Sequence, residues 1–140
     1  MIDSFSGYNR FLSNFYEAEV VLEGATYPSV EHAYQASKTL DLEYREMIRK
    51  AVSPVKAKSL GKIVPMRTDW EDVKISVMRD LLRQKFSHEF LRSKLLATGD
   101  QLLIEGNYWG DRFWGQDLSG IGLNWLGRLL MEVRNEIKEV

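Results

Sequence analysis

The sequence predicts an α+β fold: a mostly helical single domain over residues 1–140, carrying a small β-sheet. Three observations predict it. Val20-Val21-Leu22, Glu23-Gly24 and Ala25-Thr26-Tyr27 read as two short strands about a tight turn. From Ser29 onward most of the chain falls into segments with helical N-caps, apolar residues at helical spacing and glycine stops. Gln101-Leu102-Leu103-Ile104-Glu105 then supplies a short apolar strand.

Residues 1–10 are small and polar around Phe5 and Tyr8 and predict a short opening strand. Phe11-Leu12-Ser13-Asn14-Phe15-Tyr16 is an apolar patch broken by two polar residues. It reads either as a turn, with Ser13 and Asn14 bonding local backbone, or as a segment that points Asn14 into a pocket. Pro28 has no N–H to donate and ends the second strand. Ser29 caps a helix to about Leu40, and Asp41 caps another from Leu42 to about Val52. The spacing of Tyr44, Met47, Ile48 and Ala51 gives that second helix one buried side. Ser53-Pro54 opens a short helix that stops at Gly61.

Thr68-Asp69-Trp70-Glu71 has the form of a capping box before a long helix, Asp69 to about Phe86, with Trp70, Val73, Val77 and Leu81 on one side. A further helix runs from Glu89 to about Thr98 and stops at Gly99. Residues 106–122 form a glycine-rich loop, and Leu123, Leu126, Leu130, Val133 and Ile137 mark a core-packed final helix. Gly127 within it costs about 1 kcal/mol relative to Ala, which predicts a close neighbour at that point.

Bulk properties narrow the function. A net charge of −1 argues against a protein devoted to broad clamping of nucleic acid. No cysteine is present, so there is no disulfide framework, thiolate nucleophile or thiolate metal site. With only His32 and His88, a metal site is not expected. No apolar run approaches the roughly 20 residues of a membrane span, and the N-terminus is no signal peptide, so the expected compartment is the cytoplasm.

Three places look unlike packing. Glu31, Gln35 and Lys38 share one face of the first helix at i, i+4, i+7; on the residues alone a solvated polar face is the readier reading. Trp70 opens the long helix, where an aromatic is ordinarily core. The third is the loop Gly106-Asn107-Tyr108-Trp109-Gly110-Asp111 onward to Gly122-Leu123-Asn124. A long irregular loop in a compact domain usually has a function, and glycines let backbone approach a ligand closely. No nucleophile elbow, P-loop or dinucleotide fingerprint occurs. Carboxylates, a lysine and flat aromatics suit cleavage of an N-glycosidic bond. Such cleavage passes through an oxocarbenium-like sugar that a carboxylate stabilises, while aromatic rings stack on the departing base.

Phe11-Leu12-Ser13-Asn14-Phe15, Tyr27-Pro28-Ser29-Val30-Glu31-His32 with Gln35 and Lys38, Trp70, Tyr108-Trp109-Gly110 and Gly122-Leu123-Asn124-Trp125-Leu126-Gly127-Arg128 together resemble the YbiA-like family, also called the NADAR (NAD and ADP-ribose) domain. The resemblance spans nearly the whole chain. It implies a YbiA-like fold and an N-glycosidase that needs no cofactor. The implied substrates are ribosylated heterocycles: either ribosylamino-pyrimidine phosphates of early riboflavin synthesis or ADP-ribosylated guanine in nucleic acid. By the resemblance Glu31 is catalytic and Lys38 faces the same pocket, where a Schiff base to the opened ribose is one mechanism. Trp70, Asn14 and Asn124 fall at substrate-site positions, Gln35 shares Glu31's face, Tyr108 and Trp109 belong to the aromatic loop, and Arg10 with Asn14 is expected to hold phosphate or ribose. Relatives often carry an acid three residues before the loop's Trp-Gly. Gly106 stands there in this chain, followed by Asn107, so Asp111 becomes the expected third catalytic residue. Lys56, Lys58, Lys62 and Arg67 form either a basic rim for a nucleic-acid strand or a solvated face. The competing reading is a non-catalytic module that binds ADP-ribose or a nucleotide.

Overall fold

The computed structural model describes residues 1–139. Its elements are a 3₁₀ helix at Gly7–Leu12, strands β1 (Glu17–Leu22) and β2 (Ala25–Ser29), and helices α1 (Val30–Ser37), α2 (Leu42–Arg49), α3 (Pro54–Leu60), α4 (Trp70–Lys85), α5 (Glu89–Ala97) and α6 (Trp125–Lys138). The architecture is α+β and mostly helical, as expected, with a single antiparallel two-stranded sheet among the described residues. The chain divides into two compact units, one of residues 14–85 and one of residues 1–13 with 86 onward.

The first of these units is built on the hairpin and α1. Glu23 and Gly24 both take positive φ, 47° and 85°, which is the two-residue turn whose twist suits a tight hairpin. β1 alternates, burying Ala18 and Val20 while Glu17 and Glu19 face out. Pro28 does not end β2. The strand runs on to Ser29, because the ladder is irregular between Glu17 and Val20 and demands no N–H at that position. Ser29 then caps α1, accepting from the His32 N–H at 3.1 Å. All eight residues of α1 are buried, and α2, α3, α4 and both strands pack around it. The polar face expected to lie in solvent is therefore enclosed.

Asp41 caps α2 as predicted, accepting from Glu43 and Tyr44. The helix is turned from the expected face, however: Ile48 is buried, Met47 is exposed and Arg45 lies inside. Arg45 is drawn in by the Thr39 carbonyl at 2.7 Å and Glu23 at 2.9 Å. Ser53, Pro54 and Gly61 bound α3 as read from the sequence. The capping box does not form. Asp69 turns back to Arg67 and Glu71 pairs with Lys74, and α4 starts at Trp70 with Met78, Leu81 and Leu82 buried along it.

In the other unit the expected strands at the N-terminus and at residues 101–105 shrink to one parallel bridge, Ile2 with Leu103. The bridge keeps two backbone bonds, from Ile2 N–H to Leu102 and from Ile104 N–H to Ile2, and on the segment's other edge the Asn124 amide accepts from Glu105 N–H at 2.9 Å and donates to the Leu103 carbonyl at 3.0 Å. Asn124 sits at φ 52°, so α6 begins at Trp125, and Leu123, expected in the core, is exposed. Backbone carbonyls of the 106–122 loop accept from the N–H groups of residues 123–126, satisfying donors that a helix start leaves open. Leu126, Leu129, Leu130 and Val133 bury one side of α6, at about 1.5–3 kcal/mol for each large apolar side chain. A Cβ at Gly127 would overlap the Leu103 carbonyl oxygen, which is the close approach its sequence position predicted.

Candidate active site

In the unit of residues 14–85, the β2–α1 junction fixes an acid in the first turn of α1. Glu31 is 7% exposed, and its N–H donates to the Asn14 carbonyl at 3.1 Å. Its carboxylate oxygen Oε2 accepts from Gln35 Nε2 at 2.6 Å, one helical turn on. Gln35 is 4% exposed. Its Oε1 and the Asn14 Oδ1 are buried without a hydrogen-bond partner, while Asn14 Nδ2 lies 3.6 Å from the Met78 sulfur. Glu31 and Gln35, selected from the sequence, are thus buried together, with half-buried Asn14 bonded to Glu31 through its backbone carbonyl.

His32, beside the acid, is a brace. Its Nε2 lies 3.1 Å from the Ala51 carbonyl, which only accepts, so Nε2 carries the proton. Nδ1 then accepts from the Ser29 hydroxyl at 2.7 Å, while the same hydroxyl oxygen accepts the His32 N–H. Burial pushes the imidazole below its usual pKa, against a smaller opposing effect of the Ala51 carbonyl.

Lys38 follows α1 and is partly buried. Its ammonium lies 5.5 Å from the Tyr34 ring centroid and has no hydrogen-bond or ion-pair partner among the described residues. Burial lowers its pKa; Glu31 opposes the shift, and Lys58, Lys62 and Lys74 add to it. The group is therefore closer to a free amine than an exposed lysine would be. Trp70 is buried, and its ring meets Tyr34 at 5.3 Å between centroids and 56° between planes. Arg67 is committed to Asp69 and donates its backbone N–H to the Lys38 carbonyl, whereas Lys56 and Lys62 are exposed.

The other unit carries Arg10, Tyr108, Trp109, Asp111 and Asn124. Arg10 is exposed on the 3₁₀ helix. Tyr108 and Trp109 meet edge to face at 5.2 Å and are 83% and 54% exposed. Asp111 accepts from the N–H groups of Phe113 and Trp114 through Oδ1, so one of its carboxylate oxygens holds a turn. Asn124, expected to contact substrate, spends both amide atoms on the backbone of Leu103 and Glu105. Asn107, which the sequence offered only as a departure from the family pattern, is a buried tie. It donates to Glu105 Oε2 and the Asp111 carbonyl and accepts the Asp111 N–H. Within this loop Asn107, Tyr108, Gly110, Arg112, Asp117, Leu118 and Ser119 line an open cleft of about 610 Å³. Among the described residues no three His, Asp or Glu side chains gather as a metal site, and no helix is long and apolar enough to cross a membrane.

Sequence reasoning missed one contributor to the Glu31 cluster, Gly61, read only as a helix stop. Nothing in the sequence linked Gly61 to Gln35.

The β2–α1 junction thus holds a buried acid with an amide partner in the first turn of α1, with a partly buried lysine after the same helix and a tilted aromatic pair. The family model for the NADAR domain matches residues 4–138. The chain belongs to that family. It is 44% identical over 128 residues to "N-glycosidase YbiA" of Escherichia coli (strain K12), which covers 89% of this chain and 79% of that protein. It is 41% identical over 132 residues to "Riboflavin biosynthesis protein VVA0006" of Vibrio vulnificus (strain YJ016), covering 92% of this chain and 36% of that longer protein. The NMR structure of E. coli YbiA superposes with a TM-score of 0.86 at 40% identity, over 99% of this chain and 88% of that one.

Proposed function

We propose that this chain is an N-glycosidase that hydrolyses the bond between ribose C1 and the exocyclic amino nitrogen in ribosylamino-pyrimidine phosphates. The names of its relatives support the N-glycosidase class and the link to riboflavin synthesis, and they favour an enzyme over a non-catalytic ADP-ribose binder. The observation that carries the reading is the buried Glu31 carboxylate, aimed by the 2.6 Å bond from Gln35.

The C1–N bond breaks with its electron pair going to the departing nitrogen, which is protonated from solvent as it leaves, and water adds to C1. Glu31 stabilises the cationic sugar and takes the water's proton. The Tyr34–Trp70 pair offers a face for the base. Lys38, its pKa lowered by burial, either orients ribose hydroxyls or adds to C1 of the opened sugar. Asn14 contributes a buried acceptor for a ribose hydroxyl. Arg10, Tyr108 and Trp109 belong to the substrate-binding set of this proposal, and Asp111 is its third acid. Asn124 enters it as a support of the loop and not as a contact. A single domain acting in the cytoplasm completes the reading.

The test is release of free base from three substrates: a ribosylamino-pyrimidine 5′-phosphate, ADP-ribosylated guanine in DNA, and NAD. Turnover of the first is expected. Glu31→Gln should lower kcat by roughly 10²–10⁴-fold with an unchanged circular dichroism spectrum. Retained turnover in the folded variant defeats the assignment, and turnover of the DNA substrate alone transfers the function to ADP-ribosylated nucleic acid. Asp111→Asn in the same panel separates the roles of that acid: a loss as large as that of Glu31→Gln makes it catalytic, and a small one leaves it a turn residue.

A further inference from the structure

We propose that Gly61 is a positioning residue for catalysis: because it has no side chain, the Gln35 amide can lie against it and hold the Glu31 carboxylate. The inference rests on the assignment of Glu31 as the catalytic acid.

Gly61 is the C-cap of α3 with φ −60° and ψ −18°. Any L-residue adopts that conformation, so the backbone gives no reason for glycine. The reason is spatial. A Cβ built on Gly61 would overlap Oε1 of Gln35 and press on its Cδ, with the Gln35 Cβ 3.2 Å away. Gln35 has no room to retreat, since it is 4% exposed on a helix buried along its whole length. The atom placed against Gly61 is also the one left without a donor, because Oε1 has no hydrogen-bond partner. Leaving a buried amide oxygen unpaired is costly, yet the opposite orientation is worse: it would set two acceptor oxygens, Gln35 Oε1 and Glu31 Oε2, face to face. The amide is therefore held with its nitrogen on Glu31 at 2.6 Å and its oxygen in the space at Gly61. α3 sits beside α1 in the same compact unit, so Gly61 is a wall of the acid's cradle.

Gly61→Ala should displace the Gln35 amide, let the Glu31 carboxylate swing, and lower kcat on the order of 10²-fold, with KM little changed. Gln35→Met keeps the volume but removes the donor and should give a similar fall. In the Gln35→Ala background the added methyl has space, so Gly61→Ala should cost nothing further there. Substrate is the ribosylamino-pyrimidine 5′-phosphate, and each variant is first checked by thermal unfolding. Wild-type kcat in Gly61→Ala, a rise confined to KM in Gln35→Met, or a further loss on adding Gly61→Ala to Gln35→Ala each overturns the proposal. Should Gly61→Ala alone fail to fold, the comparison in the Gln35→Ala background still decides. Glu31→Gln is assayed alongside. If it is active, the underlying assignment has failed; if it is inactive while Gly61→Ala is fully active, only the positioning role has failed.

Discussion

His32 offers a stability test whose size and sign both follow from its contacts. The ring is 2% exposed, donates to the Ala51 carbonyl at 3.1 Å and accepts from Ser29 at 2.7 Å. His32→Ala loses both bonds, worth about 1 kcal/mol each net, and opens a cavity. A buried aromatic truncated to Ala costs about 3–5 kcal/mol, and the smaller imidazole belongs at the lower end. Together these give about 5 kcal/mol out of a total that is ordinarily 5–15 kcal/mol. With a urea slope of about 2 kcal/mol/M, the midpoint at pH 7.5 should fall by about 2.5 M. The pH dependence is a second check. The folded imidazole titrates below its unfolded value because it is buried. As pH falls through about 6.5, the unfolded chain takes up a proton that the folded one refuses. Stability provided by neutral His32 is therefore present above that pH and lost on acidification, by up to about 1.4 kcal/mol per pH unit, until the folded ring also protonates. The variant has no such proton, so the gap between the two proteins should narrow from pH 7.5 to pH 5. A midpoint unchanged by the substitution, or a gap constant with pH, refutes the brace and its neutral tautomer.

Lys38→Met should abolish turnover and raise the thermal midpoint. Lys38 is a cation lowered in pKa first by burial and further by Lys58, Lys62 and Lys74, so its charged form costs stability throughout the range below its folded pKa, and a drop in midpoint counts against that. Gly127→Ala should destabilise by about 1–3 kcal/mol, although Ala is the better helix former by about 1 kcal/mol, because the methyl overlaps the Leu103 carbonyl oxygen and the Asn124 amide. Urea unfolding that shows a gain instead would mean the helix relaxes away at no cost.

Local chemistry was legible in the sequence wherever a short-range rule settled it. The two-residue hairpin turn, the caps at Ser29, Asp41 and Ser53, and the helix stops at Gly61 and Gly99 each depend on residues within a few positions of one another. The failures arose where a side chain found a partner other than the one its local pattern assigned. The strand at 101–105 keeps only its bridge to Ile2, with the Asn124 side chain on its other edge, and the Thr68 box was displaced by the Arg67–Asp69 and Lys74–Glu71 pairs. Arg45 was pulled inside by Thr39 and Glu23. The same limit applied to the site. Helical spacing placed Glu31, Gln35 and Lys38 on one face, but whether that face met solvent or protein depended on five other elements packing around α1. Spacing alone favoured solvent, and the family pattern was what reversed it.

Burial of α1 explains why so much surrounding structure is spent on one short helix. An eight-residue helix is too short to hold itself in water. It persists because the capping serine, the His32 brace and the packed neighbours fix its start and its flanks. A buried acid is expensive to keep in place, and in this protein the cost is met by order nearby: Gln35 on its carboxylate, the Asn14 carbonyl on its N–H, and Gly61 behind the amide. Two amide oxygens, on Gln35 and Asn14, remain buried without donors. Such groups are rare in folded proteins and concentrate where a structure serves something other than its own stability. In this protein they fall on the two residues bonded to Glu31, with Lys38 against the Tyr34 ring just past the end of α1, an arrangement that supports the proposed ribose site over a solvated helix face.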